Sequence, residues 1–541
     1  MPRLTPDLQI RATPIPILPE TDETRDTIAA ARQRRSADRP VIPYNQQFDP
    51  QAVSAPPSVT PEHPHSDPDD PDDPEPGLPL RPTLALRIAR FLGVDRAVAF
   101  SVLARGWSSL AGIGTLMLIA RFLTPAEQGF YYNFYALVAL QIVFELGFSV
   151  VILQTASHEA AHLAIAPDGT ITGPPREHAR LASVLQKSMR WYTIAAILMA
   201  LTLIPVGVIF FRHVANKPHF GGVHFVMPWL LVVIASSLTF QLDPIFSFLE
   251  GCGYVREVAR TRLRQSMVST ALGWSVFLFH RGLFAPGFFI LGQAIAGGYF
   301  VFTKRHLLLP LLRHATEKFR IHWGSEVWPF QWRIAVSWLS GYLATQLFVP
   351  TIMNARGPVE AGRLGMSLTV CATLTTLSVS WMNTKASPFG QMISRKEYRK
   401  LDHIFLRTLL QSTGAAIVAC ILVWFVVEWL TLRHVRLHGV LLASRLLPPV
   451  PLAMLLFGTV ANVIVIAEAL YIRAHKQEKF MVNSILGALY CIPVAFVIGR
   501  LQTPHGGSWG IAASYAVGAA VIGLGYGTYT FFKWRRIWHA A

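Results

Sequence analysis

Charged residues are scarce in this 541-residue chain: 15% are Asp, Glu, Lys or Arg, whereas 52% are hydrophobic. A soluble protein of this length carries more charge, so the composition excludes an ordinary soluble fold. Cysteine is rarer still, with four residues, Cys252, Cys371, Cys420 and Cys491. None forms a metal-type pair, and three lie inside apolar runs, so we interpret them as small core residues.

The motifs of many enzyme classes are also missing. The sequence has no phosphate-binding loop, which argues against ATP hydrolysis by the chain itself, and no convincing nucleophile elbow or dinucleotide fingerprint. No cleavable signal peptide is visible, because the first apolar run begins near residue 97 and is as long as a full span. We therefore expect a protein that is not an enzyme and uses no cofactor.

What the sequence does contain is twelve apolar runs. Crossing a hydrocarbon core of ~30 Å takes roughly 20 residues. We predict membrane spans at 97–120, 130–154, 190–211, 224–249, 266–280, 283–303, 332–353, 364–385, 405–431, 448–472, 480–499 and 509–532. The fifth span is short and is followed closely by the sixth, so these two are predicted to form a tight hairpin. The chain is thus predicted to be an all-α, multi-pass membrane protein.

The basic residues between the spans predict the orientation. Alternate connections hold 25 Lys and Arg residues, and the other set holds 10. Because short cytoplasmic loops are enriched in Lys and Arg, the richer set is predicted to be cytoplasmic, with both termini on that side. The net charge of +17 reflects this bias and attraction to anionic lipid headgroups, and we do not interpret it as binding to nucleic acid.

The chain divides into an N-terminal leader and two membrane halves. Residues 1–82 are rich in proline and include the run DPDDPDDPEP, which predicts a disordered cytoplasmic leader. The alternative is a docking arm for a partner enzyme, and residues 84–96 could form an amphipathic helix on the membrane surface. The first half is predicted at 83–303, a basic linker at 304–331 and the second half at 332–541.

A short repeat supports the division into halves. After the first span the chain has Ala120 and Arg121, then Pro125, Glu127 and Gly129. After the seventh span the same order recurs in Ala355, Arg356, Pro358, Glu360 and Gly362. Repeats with an even number of spans have the same orientation and are related by an axis along the membrane normal. The pattern predicts a pseudo-symmetric transporter with a cleft between its halves.

Ionisable residues inside the predicted spans are candidates for that cleft. Such residues are expensive in a bilayer and usually face a cavity or a partner. The cations are Arg105, Arg363 and Lys385, and the carboxylates are Glu145, Asp243, Glu428 and Glu468. A guanidinium suits a phosphate because it offers a forked set of donors, whereas Asp243, Glu145 or Glu468 could bind a coupling proton or Na⁺. The structural alternatives are an Arg105–Glu145 pair and interfacial positions for Lys385 and Glu428.

One motif resembles a metal site. The sequence His158–Glu159–Ala160–Ala161–His162 matches H-E-x-x-H, in which two histidines on one helical turn bind zinc and the glutamate activates water. No third ligand is evident, since Asp168 follows too closely across a Pro/Gly loop. We therefore interpret the motif as a polar helix end at the membrane surface and predict no metal.

Residues 120–159, ARFLTPAEQGFYYNFYALVALQIVFELGFSVVILQTASHE, resemble the first loop and second helix of bacterial polysaccharide flippases. These belong to the multidrug/oligosaccharidyl-lipid/polysaccharide exporter superfamily. The matching pieces are Leu123–Pro125, Glu127–Tyr131, Phe144–Gly147 and Ser157–Glu159. The resemblance covers about forty residues, while the twelve spans and two halves fit the superfamily over 85–541.

The resemblance implies a flippase for oligosaccharides on a polyprenyl diphosphate carrier, working by alternating access for surface or exopolysaccharide biosynthesis. It implies a bacterial inner membrane location, a polymerase and glycosyltransferases as partners, and a cationic central cavity. Arg105 alone lies where that cationic role carries across. Two alternatives stay open: a cation-coupled drug antiporter of the same superfamily, and a membrane enzyme such as an O-antigen ligase or polymerase. The enzyme would use the loop 432–447, with Arg433, His434, Arg436 and His438.

Overall fold

The computed structural model describes residues 96–540 except 166–170, 217–221, 315–320, 322, 325–327, 384, 438–439, 476, 478, 502 and 504–505, and within some helices the backbone alone. The predicted leader and the predicted amphipathic helix at 84–96 lie outside the described residues, apart from Arg96. The described part belongs to one compact unit.

The first half consists of helices with two short breaks and one small hairpin. Its helices are α1 (Arg96–Phe122), α2 (Pro125–Val138), α3 (Gln141–Glu145), α4 (Phe148–Ala160), α5 (Pro175–Ala215), α6 (Val226–Gly251), α7 (Val255–Leu278) and α8 (Ala285–Thr303). Strands β1 (Ala164–Ile165) and β2 (Ile171–Thr172) pair antiparallel, and a 3₁₀ turn spans Gly282–Phe284. Helix α9 (Arg305–Arg313) follows in the predicted linker.

The second half is also mostly helical and contains one small hairpin. Its helices are α10 (Trp328–Thr345), α11 (Phe348–Arg356), α12 (Pro358–Asn383), α13 (Ala386–Ser394), α14 (Tyr398–Leu432), α15 (Pro449–Ala474), α16 (Met481–Arg500), α17 (Gly507–Gly518) and α18 (Thr528–Ala540). A π-helical segment, Ala519–Gly527, joins the last two. Strands β3 (Arg436–Leu437) and β4 (Val440–Leu441) form a second antiparallel hairpin, followed by a 3₁₀ turn at Leu442–Arg445.

Each of the twelve predicted spans coincides with a helix or a broken helix, which confirms an all-α multi-pass membrane protein. Within the described residues, eight helices are long and apolar enough to cross a membrane, or nine if a bent pair counts as one span. Helix α7 is not among them, because four arginines lie in its first ten residues. The fifth span is therefore longer than 266–280 and begins in a cationic segment.

The second predicted span is broken rather than continuous. Helices α2–α3 and α4 meet at an angle of 44°. Leu146 and Gly147 both have left-handed backbones, with φ of 52° and 67°, and two such residues cannot continue a right-handed helix. The left-handed conformation is uncommon for a leucine. The break lies directly after Glu145, one of the predicted intramembrane carboxylates.

Close backbone contacts hold neighbouring helices together. In lipid there is little hydrophobic drive between helices, so small residues and hydrogen bonds carry more of the association. A Cβ on Gly292 of α8 would lie 2.7 Å from Cα of Ser269 of α7, and the Ser269 hydroxyl donates a 2.7 Å hydrogen bond to the carbonyl oxygen of Phe289. Glycine at 292 therefore permits the tight hairpin that the sequence predicts for these two spans.

The alternating loops define two ends of the bundle. We call one end the basic end; it holds the described residues of the connections 161–174, 252–254, 304–327, 395–397 and 475–480. The opposite end holds the described residues of the connections 123–124, 216–225, 279–284, 357, 433–448 and 501–506. The main apolar core includes residues from both halves. A separate apolar cluster around Phe389, Phe405 and Tyr471 consists of second-half residues only.

Candidate functional site

The two copies of the repeated motif contact each other at the opposite end. Helices α2 and α12 begin with Pro125 and Pro358, and Glu127 forms a capping box with Thr124. A Cβ on Gly362 would lie 2.9 Å from the backbone nitrogen of Gly129, and a Cβ on Gly129 would overlap the carbonyl oxygen of Pro358. The motif glycines thus let the backbones of the two halves meet.

A buried glutamine strengthens this contact. Gln128 is 1% exposed, and its side-chain amide donates to the carbonyl oxygen of Gly362 at 2.9 Å and to that of Arg445 at 3.0 Å. One side chain of the first half therefore binds two backbone segments of the second half. Burying an amide without hydrogen-bond partners costs free energy. The hydrogen bonds of Gln128 therefore stabilise the state in which the two halves are in contact.

Arg445 binds back in the other direction. It lies in the connection between α14 and α15, is 3% exposed, and donates from Nη2 to the carbonyl oxygen of Leu123 at 2.6 Å and to that of Ala120 at 3.2 Å. Its Nη1 donates to Oε1 of Gln128 at 3.3 Å. Burial lowers the pKa of Arg445, and the nearby carboxylate of Glu127 acts in the opposite direction. The first turns of α2 and α12 and the side chain of Arg445 thus meet in one place. We call this place the junction.

The second copy of the motif also organises its own half. The carboxylate of Glu360 accepts a 2.7 Å hydrogen bond from the backbone nitrogen of Ser508, at the start of α17. A carboxylate at a helix N-terminus is stabilised by free N–H groups and by the helix dipole. Arg356 donates from Nη2 to the carbonyl oxygens of Leu501 and Thr503. The motif residues are therefore structural at the opposite end, which the sequence alone did not reveal.

Two of the predicted cavity cations lie far apart. Arg363 donates from Nε to the carbonyl oxygen of Ser444 at 2.9 Å, so it belongs with the junction. Lys385 is half-buried between α12 and α13, near the basic end. The 22 residues of helix between them correspond to about 33 Å. The structure therefore does not bring Arg363 and Lys385 into one site.

The third predicted cation, Arg105, lies on α1, and the structure describes its backbone only. Further along α1, three polar contacts join it to α7. The hydroxyls of Ser108 and Ser266 are 2.8 Å apart, Trp107 donates to Thr270 at 3.3 Å, and Trp274 donates to Thr115 at 2.9 Å. These hydrogen bonds join α1 to α7 over the two to ten residues that follow Arg105.

Two predicted carboxylates lie near each other in the first half. Glu145 accepts a 2.6 Å hydrogen bond from the Ser149 hydroxyl across the helix break, and Asp243 precedes Pro244 in α6. Tyr192 on α5 is fully buried, and its hydroxyl has no hydrogen-bond partner among the described residues. It lies close enough to both carboxylates to interact electrostatically with them. Together these groups are a candidate site for a proton or a monovalent cation.

The third predicted carboxylate lies in the second half. Glu468 on α15 is 3% exposed and accepts a 3.2 Å hydrogen bond from the hydroxyl of Thr528. Thr528 directly follows the π-helical segment, a geometry that often occurs at functional sites. Nearby, the Oδ1 atom of Asn483 is buried and has no hydrogen-bond partner in the part of the chain that the structure describes. This second carboxylate site is separate from the Glu145–Asp243 pair in the first half.

Helix α12 has a hydroxyl-bearing strip that the sequence analysis missed. Thr369 and Thr376 are exposed, and Thr373 and Ser380 are partly exposed, at helical spacing. Each hydroxyl donates to a backbone carbonyl one turn earlier, so its acceptor capacity remains free. The spacing of three or four residues was the signal that could have revealed this strip.

The H-E-x-x-H motif lies at the basic end in an ion pair. Glu159 is buried and accepts a 2.9 Å hydrogen bond from Nε of Arg180. The rings of His158 and His162 are 6.0 Å apart and border an open pocket of about 480 Å³. No group of three or more metal ligands is found in the described part of the chain. The glutamate thus serves the contact between α4 and α5.

The loop at 432–447, considered as a catalytic loop, has a structural role in part. Its Arg445 belongs to the junction, and Arg436 lies in the small hairpin. His434 has a left-handed backbone, with φ of 47°. His438 lies outside the described residues.

No protein family matches the chain, and no curated protein does. Several solved structures match over most of its length. The inward closed conformation of the lipid II flippase MurJ has a TM-score of 0.53 at 13% identity, covering 81% of this chain and 87% of that one. A MOP superfamily transporter from Pyrococcus furiosus has a TM-score of 0.51 at 13% identity, covering 84% and 98%.

An outward-facing multidrug resistance MATE family transporter of the MOP superfamily has a TM-score of 0.50 at 14% identity, covering 84% and 98%. Identities this low bear on the fold alone. The chain therefore has the fold of the MOP superfamily transporters.

Proposed function

We propose that the chain moves a polyprenyl-diphosphate-linked oligosaccharide across the bacterial inner membrane by alternating access. The observation that carries the proposal is the junction, where buried groups from both halves close one end of the bundle. The contacts are a few hydrogen bonds and glycine contacts, which a rigid-body motion can exchange for an open state. The translocated oligosaccharide would be used for surface or exopolysaccharide synthesis, with a polymerase and glycosyltransferases as partners.

In this proposal the basic end faces the cytoplasm. The enrichment of Lys and Arg at that end supports the orientation, and both termini then lie in the cytoplasm. The structure has its junction at the opposite end, so the cargo would reach its site from the cytoplasmic leaflet. Translocation breaks no covalent bond of the cargo, and we propose no enzymatic step.

The cargo is proposed from chemistry and from the resemblance of residues 120–159 to polysaccharide flippases. A diphosphate needs cationic forked donors, and Arg105 is the predicted one. The hydroxyl strip of α12 has acceptor capacity for sugar hydroxyls. The MurJ neighbour is named a lipid II flippase, and a lipid-linked sugar is the cargo class that we carry over.

A second candidate is a cation-coupled drug antiporter. The buried carboxylates Glu145, Asp243 and Glu468 favour it, since carboxylates bind organic cations as well as protons or Na⁺. The two candidates separate in one experiment. Deletion of the gene should leave lipid-linked repeat units on the cytoplasmic leaflet and leave the efflux of cationic dyes unchanged. Normal arrival of repeat units at the outer leaflet, with slower dye efflux, would favour the antiporter.

A further inference from the structure

Three arginines form a cationic strip on α7. Arg256, Arg260 and Arg264 are exposed and follow each other at intervals of four residues. At 3.6 residues per turn they fall within roughly 80° of the helix circumference and extend over about 12 Å. None of the three forms an ion pair with another residue of the described chain, and the exposed carboxylate of Glu257 forms none either.

The fourth arginine of α7 shows that the strip is a separate feature. Arg262 points away from it, donates to Oε1 of Glu250 at 3.3 Å and lies 5.9 Å from the ring centre of Phe246. It therefore holds α6 and α7 together. The three strip arginines form no such contact with the residues that the structure describes. Guanidinium groups at a membrane boundary attract anionic headgroups.

The same face of α7 becomes apolar toward the opposite end of the bundle. Met267 is 44% exposed, Leu278 is 71% exposed and Ala271 is exposed between them. Their helical positions fall within the same arc of roughly 80°. A surface that is cationic at the basic end and apolar beyond it has the polarity of a lipid with a phosphate headgroup and a long hydrocarbon tail.

The strip also lies beside the helix that carries Arg105. The Ser108–Ser266 contact of 2.8 Å joins α1 and α7, and both helices run from the basic end. Arg105 is three residues before Ser108, and Arg264 is two residues before Ser266. At 1.5 Å per residue, their backbone positions differ in depth by about 2 Å.

We propose that the strip Arg256–Arg260–Arg264 is the docking surface for the diphosphate of the lipid-linked cargo, which passes from Arg264 to Arg105. The inference rests on the proposed function and adds where the cargo binds first. A ladder of about 12 Å offers a diphosphate successive binding positions from the membrane surface inward. The polyprenyl tail stays in lipid along Met267, Ala271 and Leu278.

The test uses the full chain in phosphatidylcholine nanodiscs, with undecaprenyl diphosphate as the probe. The variant is Arg256→Gln/Arg260→Gln/Arg264→Gln. The matched control is Arg395→Gln/Arg399→Gln/Arg407→Gln, which removes three exposed arginines at the basic end of the second half, the last of them also about nine residues into its helix. We expect the strip variant to bind at least roughly tenfold more weakly, because charge-assisted hydrogen bonds to phosphate are lost. The control should bind as the native chain does.

Competition identifies the lipid. Undecaprenyl monophosphate should compete weakly, and phosphatidylglycerol or cardiolipin at the same mole fraction should compete more weakly still. Equal competition by phosphatidylglycerol or cardiolipin would make the strip a general anionic-lipid surface and overturn the proposal, as would unchanged binding by the strip variant. If the triple variant accumulates poorly, the same binding measurement is made with Arg264→Gln alone and with the corresponding Lys variants, which retain the charge without the forked donors. Unchanged binding in these variants would also overturn the proposal.

The docking proposal and the proposed function fail in different ways. If the native protein flips the cargo in liposomes and the strip variant binds undecaprenyl diphosphate normally, the docking surface is wrong and the function stands. If the native protein flips no cargo, the proposed function is wrong whatever the strip binds.

Discussion

The side-chain amide of Gln128 lies 2.9 Å from the carbonyl oxygen of Gly362, and this hydrogen bond joins the two halves of the protein. Gln128 and Gly362 belong to the two copies of one repeated motif. Their contact relates the internal repeat to closure of the opposite end. An alternating transporter must break this contact and form a corresponding one elsewhere.

The motif glycines should control closure. Gly129→Ala places a Cβ onto the carbonyl oxygen of Pro358. Because this oxygen belongs to the backbone, the clash can be relieved only if the start of α12 moves. We expect the variant to favour a state open at the opposite end, with slower transport. Spin-label distances across that end should lengthen. Gly414→Ala on α14 is the matched control, since a Cβ there meets no other group within 4 Å. Identical distance distributions for both variants would contradict the assignment.

Arg445 should stabilise the closed junction. Arg445→Ala leaves the carbonyl oxygens of Ala120 and Leu123 without this donor, which destabilises the closed state by about 2–4 kcal/mol. Arg445→Lys keeps the charge without the fork and should be intermediate. The measurement is the distance between spin labels placed across the opposite end. Equal distance distributions in the native chain and in the two variants would show that Arg445 has no part in closure.

Arg105 should be required for transport and not for folding. We expect Arg105→Ala to reduce polymer export by at least tenfold, since a charge-assisted hydrogen bond to phosphate contributes roughly 1.5–3 kcal/mol, while protein abundance stays the same. Arg105→Lys should retain part of the export. Export and immunoblot abundance are measured together. Unchanged polymer output in Arg105→Ala would remove this residue from the cargo site.

The buried carboxylates should couple transport to an ion gradient. Glu145→Gln and Asp243→Asn remove charge from the cluster around Tyr192, and we expect both to reduce the dependence of flipping on a proton or Na⁺ gradient. Glu468→Gln tests the site in the second half separately. Glu428→Gln is the control, because that partly exposed glutamate lies near the opposite end of α14. If flipping by Glu145→Gln, Asp243→Asn and Glu468→Gln depends on the gradient as fully as flipping by the native chain, these carboxylates have no part in coupling.

The sequence predicted the helices well, because hydrophobic runs of membrane length allow few other structures. It did not predict the break after Glu145, because a left-handed Leu146 has no compositional signal. It predicted that α7 begins later in the chain than it does, because a search for apolar runs leaves out the arginines of its first turns. Three of those four arginines form the cationic strip of α7.

The site was predicted less completely. The carboxylates Glu145 and Asp243 were recognisable as charges in apolar runs, and they lie close enough to interact electrostatically with each other and with Tyr192. Arg363 was recognisable on the same ground, yet its bond to the Ser444 carbonyl depends on a loop 81 residues later in the chain. Gln128 and Arg445 were missed as partners, because a polar residue at a helix start or in a loop is ordinary until its tertiary contacts are known.

The most direct test of the proposed function is flipping by the purified protein in liposomes. A fluorescent oligosaccharide on undecaprenyl diphosphate is placed in both leaflets, and a membrane-impermeant quencher reports how much of it reaches the outer leaflet. We predict quenching of the inner-leaflet fraction with the native chain and little with Arg105→Ala. Quenching no greater than in protein-free liposomes, in a preparation that transports a cationic dye, would contradict the flippase account.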